Sequence, residues 1–342
     1  MNNPQIKILP QINPLSPSKM NKKAYEFSFA WIFAIIIGAV IIFVAIYAST
    51  QLIDTSRFLG DTETAKQIGT LLSPLETTLE SGKTSIIRTQ AETRIFNECV
   101  SSRGTFGSQD ISVSTSSGVG DVWPKTPGAT SSFHNKYMFS SEIVQGEEFY
   151  AFSTPFKFPF KIADIIILWS EKESYCFVTD YDDDAFLELS NSNQRNVLNV
   201  TSPSDCPAGS ISVCFKGSGC DIAVSKASRT ITKNGETLHY EKSFSKGTEY
   251  SLLYAAIFSP KEIYECQVKR LMNRASEISL LYNEKSSFLS PKGCGSARVQ
   301  PLLLEYSNLA SSITSSQDLK TIINPVTSNL NNENARLQCK LF

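Results

Sequence analysis

The chain has 342 residues, with 32 basic against 33 acidic side chains and a formal net charge of −1 at pH 7. Nucleic-acid binding needs a clustered basic surface that displaces counterions, and no such Lys/Arg block occurs, so a nucleic-acid partner is argued against. A hydrophobic fraction of 41% over this length supports two or three folding units once any membrane segment is set aside. Residues 1–26 carry Pro4, Pro10, Pro14 and Pro17 together with Lys7, Lys19, Lys22 and Lys23. A stretch this short builds no core and reads as a cytoplasmic tail or leader. Residues 27–48, Phe27 to Ala48, hold neither charge nor proline. A helix of that length crosses a hydrocarbon core of about 30 Å. The lysines precede it and only Arg57 follows closely, so the positive-inside rule places the N-terminus in the cytoplasm and the rest of the chain outside. A cleaved secretory signal is the alternative, but its apolar region runs about 7–15 residues, so the length favours an uncleaved anchor. Ala30, Ala34 and Gly38 form a small-residue stripe that permits close approach of another helix.

Residues 49–100 are expected to form a helical stalk, with an apolar face through Leu52, Ile53, Phe58, Leu59, Ile68, Leu71, Leu72, Leu75 and Leu79. Bends are expected at Pro74 and Gly82, and a second helical piece from Ile86 to Cys99. Residues 101–258 read as a β-rich extracytoplasmic domain. Its start, to residue 136, is rich in Ser, Gly, Thr and Pro and predicts loops around a strand at Ile111–Val113. Phe156, Phe158, Phe160 and Ile162 alternate like a half-buried strand, which Pro159 would confine to an edge. Ile165–Trp169 fits a central strand, and Ile211, Val213 and Phe215 alternate again. Asn234-Gly235 between two alternating runs predicts a hairpin over Thr230–Tyr240. Tyr250–Phe258 reads as a buried strand, with a helix as second choice. Residues 259–342 predict a helical subdomain. Ser259-Pro260-Lys261-Glu262 has the form of a capped helix start, followed by a stripe at Tyr264, Val268, Leu271, Ala275, Ile278 and Tyr282. A break is expected at Pro291–Gly295, and two further helices at Leu302–Ile313 and Leu319–Leu337, the last interrupted near Pro325. The fold class is therefore α+β, disulfide-bonded, behind an N-terminal transmembrane helix.

The cysteines are Cys99, Cys176, Cys206, Cys214, Cys220, Cys266, Cys294 and Cys339. All lie on one side of the apolar segment, and disulfides persist only in oxidising compartments. Zinc is disfavoured because no CxxC pair occurs and the chain has two histidines, His134 and His239. All eight are expected to pair, Cys206 with Cys214 or Cys220. If the last three helices run up-down-up, Cys294 and Cys339 meet at one pole and bond.

Catalytic signatures are missing: there is no GxSxG, HExxH, P-loop or GxGxxG. The densest charge cluster runs through Glu171, Glu173, Asp180, Asp182, Asp183, Asp184 and Glu188. Asp180, Asp182 and Asp184 have the one-three-five spacing of a calcium loop, with Glu188 as a further oxygen ligand. However, Ala185 replaces the turn glycine and Asn191 the bidentate glutamate. The cluster reads first as a solvated acidic turn before a strand at Phe186–Leu189, and second as a calcium site; no other cofactor is indicated. Asn199-Val200-Thr201 is a glycosylation sequon, which fits an exposed loop.

Lys22-Lys23-Ala24 precedes the apolar helix, Glu26-Phe27 opens it, and an expected stalk leads to a β-rich head. Over about residues 19–60 this order resembles type IV pilin-like proteins, including the archaeal and TadE-like branches. The resemblance implies a peptidase cut after Ala24 beside Lys23, and an exposed apolar helix that packs in a filament core. Glu26 would then be the second mature residue rather than the fifth, and the length suits a minor or tip-like subunit. Three functions follow as expectations. The first is a structural or adhesive surface subunit, anchored by a single pass and self-associating or pairing with other membrane helices. The second is a membrane-tethered hydrolase using the acidic cluster, and the third a sensor or accessory subunit.

Overall fold

The computed structural model describes residues 29–77, 83–116, 123–124, 127–180, 182–190, 195–295 and 297–342. The tail 1–26 with its Lys23–Ala24 step, Gly82 and Asn191 lie outside the described residues. The chain divides into two units, Met1–Ile53 and Asp54–Phe342. The first helix, α1, runs Phe29–Thr77. It is the one helix among the described residues that is long and apolar enough, by length and composition, to cross a membrane.

The second unit is built on two six-stranded sheets. One has the order β3-β2-β1-β5-β6-β4, from β1 (Lys83–Val100), β2 (Ser108–Thr115), β3 (Ser131–Phe133), β4 (Met138–Phe139), β5 (Ile143–Lys157) and β6 (Lys161–Ser170). All its ladders are antiparallel except β4 with β6. The expected stalk therefore stops being helical well before residue 100, and β1 is a central strand. Thr93, Ile95 and Asn97 are its buried alternate positions. Two of the three are polar, which hid the period-two pattern, whereas the adjacent Ile86 and Ile87 imitated a helical face. Phe156, Phe158, Phe160 and Ile162 are all buried, but they belong to a hairpin. β5 ends at Lys157, the Phe158–Pro159 peptide is cis, and β6 starts at Lys161, so Pro159 sits in a turn rather than in an edge strand.

The second sheet has the order β12-β11-β10-β9-β7-β8, from β7 (Tyr175–Val178), β8 (Val197–Val200), β9 (Ile211–Cys214), β10 (Ile222–Ser225), β11 (Thr230–Lys233) and β12 (Glu236–His239). Strands β8, β7, β9 and β10 are parallel. The predicted hairpin joins β11 to β12, and Asn234 and Gly235 both take positive φ, 52° and 77°, the geometry of a type I′ turn. The expected strand at Phe186–Leu189 is instead a short helix, α2 (Asp184–Ser190), which begins where Asp183 Oδ1 accepts the Ala185 amide at 2.9 Å.

The C-terminal helices are α3 (Ser251–Phe258), α4 (Lys261–Leu289), α5 (Val299–Ser312) and α6 (Asn324–Arg336), the last entered through a π-turn at Leu319–Ile323. α3 occupies the expected strand at Tyr250–Phe258. Every one of its residues is buried, and the seven residues Leu252–Phe258, without a charged side chain among them, carry no periodicity to separate a buried helix from a buried strand. Pro260, not Ser259, stands at the N-cap of α4; the Ser259 hydroxyl donates back to the Ala255 carbonyl at 2.6 Å and so closes α3. The Pro291–Gly295 break is present, with Gly293 at φ 89°.

Two apolar clusters hold the unit together. The larger joins both sheets to α3–α6 through Phe152, Trp169, Phe177, Ile231, Leu253, Tyr264 and Tyr306. The smaller lies on the first sheet and includes Ala65 and Ile68 of α1 with Ile95, Val113, Phe149 and Leu168. The first sheet is thus covered on both faces, which is why β6 reads as a continuous apolar run. The docked part of α1 is fixed by polar contacts too: Thr115 Oγ1 donates to Asp61 Oδ1 at 2.5 Å, and the Ala129 amide to Thr62 Oγ1 at 2.8 Å.

All eight cysteines are paired. Cys294 bonds Cys339 as expected, Cys99 bonds Cys266 and Cys214 bonds Cys220. Cys206 does not bond within its own segment but reaches Cys176. Parallel pairing of β8 with β7 sets Leu198 opposite Cys176, which brings the turn after β8 back beside that cysteine.

Candidate functional site

The acidic turn is distributed rather than gathered. Asp180 is ion-paired with Lys216, Asp183 with Lys226 at 2.6 Å, and Asp182 and Asp184 face solvent. Glu188 belongs to a different setting, with both carboxylate oxygens 3.3 Å from the Tyr250 backbone nitrogen that donates to them. Among the described residues no three His, Cys, Asp or Glu side chains are grouped to hold a metal ion.

Glu188 faces a pocket of about 380 Å³ between α2 and the segment leading into α3, with Asp184, Lys242, Glu249 and Tyr250 also on its wall. Burial pushes the Glu188 carboxyl up to about 7, with repulsion from Glu249 in the same direction and the Tyr250 N–H opposing it. The Tyr254 hydroxyl completes the junction by donating to the Ala185 carbonyl at 2.5 Å. A carboxyl poised near neutrality in a cleft is a group that can exchange protons at physiological pH.

A larger pocket of about 520 Å³ is walled by Tyr175, Ile211, Ile222, Ile257 and Phe258 and carries Lys233. The Lys233 ammonium donates to the carbonyls of Ala256, at 2.6 Å, and Ser259, and burial holds its pKa down at about 8. It acts as a cation at the C-terminal end of α3, where the helix dipole favours positive charge.

Sequence reasoning missed Arg270 altogether. It is fully buried on α4. Its Nε donates to Phe106 O at 2.9 Å, Nη1 to Lys136 O at 2.8 Å and Gln267 Oε1 at 2.7 Å, and Nη2 to Phe133 O at 3.3 Å and His134 O at 3.2 Å. Gln267 continues the network to Gln109, and Gln109 to Asn97, beside the Cys99–Cys266 bond. The arrangement clamps two loops to α4 and is architectural. Gly107 lies against it at φ +62°, where an added Cβ would collide with the Val100 carbonyl oxygen and meet Arg270 Cγ at 3.0 Å. Gly107→Ala should therefore cost about 2–3 kcal/mol. Gly104→Ala, at φ +64° with open space around it, should cost only about 1 kcal/mol. Chemical denaturation of the two variants compares them directly, and equal losses would mean that the Val100 carbonyl and Arg270 both give way to an added methyl.

The remaining sequence candidates fall apart spatially. His134 Nδ1 lies 2.7 Å from Gly107 O, and His239 sits in β12, where burial lowers its pKa and Lys320 adds to the effect. Asn199 is in β8 rather than a loop, and its carboxamide is buried without a hydrogen-bond partner, a poor presentation for glycosylation. Ala30 and Ala34 are exposed on α1, and a Cβ on Gly38 would meet nothing within 4 Å. No known family matches this sequence, and neither a characterised protein nor a solved structure is significantly similar to it.

Proposed function

We propose that the chain is a membrane-anchored surface protein with a structural or adhesive role, of the pilin-like kind. The first part of α1 would seat in the membrane or among neighbouring helices, and the disulfide-bonded unit would lie outside the cytoplasm. One observation carries this reading: the two parts of α1 are in opposite environments. Trp31, Phe43 and Leu52 are 64%, 72% and 71% exposed, whereas Asp61, Ala65 and Ile68 are buried on the first sheet. An uncovered apolar surface of that length is unstable in water and calls for lipid or another helix. The other part of the same helix is packed into the second unit through Ala65 and Ile68. Four disulfides support an oxidising compartment for that head. Ala30, Ala34 and Gly38 give the exposed part a surface on which a second helix can approach closely.

The test is membrane retention. Placing two arginines in the span, Ile36→Arg with Val40→Arg, adds about 5–7 kcal/mol to insertion. The native chain should stay in the membrane pellet after alkaline carbonate extraction, with its disulfide-bonded part digested by protease added to intact cells. The double variant should leave the pellet with its melting temperature unchanged. A native chain extracted as freely as the variant would overturn the anchor.

A further inference from the structure

The edge strand β4 reaches β6 only at Ile166 and Ile167, so the first residues of β6 lie past its end. A pocket of about 350 Å³ is found there, between Lys161–Asp164 and the α4 residues Arg274 and Ile278. Asp164 is 5% exposed, yet its two carboxylate oxygens are used unequally. Oδ2 takes the Lys161 ammonium at 2.8 Å, whereas Oδ1 is buried with no hydrogen-bond partner among the described residues. Arg274 supplies a second cation. It is half-buried, and its guanidinium stands 5.9 Å from the centre of the Tyr137 ring. Among the described residues no hydrogen bond or ion pair engages it. Burial pushes the Asp164 carboxyl up, while the charges of Lys161 and Arg274 oppose the rise, so the three groups are within electrostatic reach of one another.

We propose that this pocket binds a polyhydroxylated carboxylate of the size of one uronic-acid residue: Arg274 takes the carboxylate, a sugar hydroxyl donates to Asp164 Oδ1, and the ring lies against Ile278. The inference goes beyond the surface-protein reading and does not depend on it.

Two cations against one carboxylate favour an anion. Asp164, however, repels an anion that brings nothing else, and a buried acceptor left without a donor carries its desolvation cost. Both demands are met by a molecule that holds a carboxylate and a hydroxyl close together. A neutral sugar leaves the guanidinium unpaired, and a simple carboxylate brings no donor to Oδ1. An α-amino acid would set its ammonium beside that of Lys161, like charge against like. The planar fork of Arg274 matches a carboxylate with two parallel hydrogen bonds. Half-buried Ile278 offers an apolar surface to the C–H face of a sugar ring.

Titration calorimetry on the full chain, in micelles of a detergent without a sugar headgroup, tests this with D-glucuronate, D-galacturonate, D-glucose and acetate. At least one uronate should bind with a Kd of about 1 mM or tighter. Glucose and acetate should each bind at least about tenfold more weakly, since each forgoes one of the two charge-assisted contacts. Arg274→Gln keeps most of the side chain, so its melting temperature should be nearly native while uronate binding weakens about tenfold. The site is overturned if neither uronate binds, if glucose or acetate binds as tightly, or if Arg274→Gln binds the uronate unchanged. Should that variant not fold, the four ligands on the native chain decide by themselves.

Discussion

Replacing Cys99 and Cys266 together by alanine will lower the unfolding free energy by about 5 kcal/mol, the largest loss expected from any of the four disulfides. The bond joins β1 to α4 across a sequence separation of 167 residues, and in the chain-entropy account a cross-link restrains the unfolded chain more the longer the loop it closes. The Cys214–Cys220 bond, which closes a separation of 6 residues, should be worth only about 2 kcal/mol on the same relation. Both figures refer to the unfolded state, so native structure should be nearly unchanged in either variant. Urea unfolding followed through the buried Trp169 gives the comparison, and the slope of the transition reports whether the unfolded ensemble has expanded. A Cys99/Cys266 variant no less stable than the Cys214/Cys220 one would show that the long bond closes a loop already ordered by other contacts.

The sequence carried this bond only as a count of cysteines, and the reason is general to what was and was not legible. The Asn234-Gly235 hairpin was readable because a two-residue turn with positive φ at both positions narrows the choice of residues severely. The apolar run of α1 and the Pro291–Gly295 break were readable for the same reason: a local rule leaves few alternatives. β1 was misread because Thr93 and Asn97 are buried through hydrogen bonds and packing rather than through hydrophobicity, so its alternation has no apolar signature. α3 was misread because complete burial erases periodicity. Cys206 found Cys176 through parallel strand order, which no local spacing encodes. At the candidate site, Glu188 stood out from the sequence for its place in an acidic run, yet its partner, Tyr250, is 62 residues away. Lys233 and Arg270 were invisible because their partners are backbone carbonyls, which any residue supplies.

Arg270→Met is the second large expectation, with a loss of about 3–5 kcal/mol. Methionine fills most of the volume but offers no donor. The carbonyls of Phe106, Phe133, His134 and Lys136 would lose their partner inside the fold, and an unsatisfied buried acceptor carries its full desolvation cost. Arg270→Lys should recover only part of the loss, since an ammonium has three donors on one point and cannot span the fork that reaches both loops. The damage should be regional before it is global. The loops around Phe106 and Phe133–Lys136 depend on this side chain through their backbone carbonyls. Limited proteolysis should therefore cut first within residues 101–107 and 131–136 in the methionine variant, at temperatures where the native chain is intact. A variant within about 0.5 kcal/mol of the native protein, with an unchanged cleavage pattern, would mean that those loops are held by the Cys99–Cys266 bond and the sheet alone. The guanidinium would then be a passenger in the core rather than its clamp.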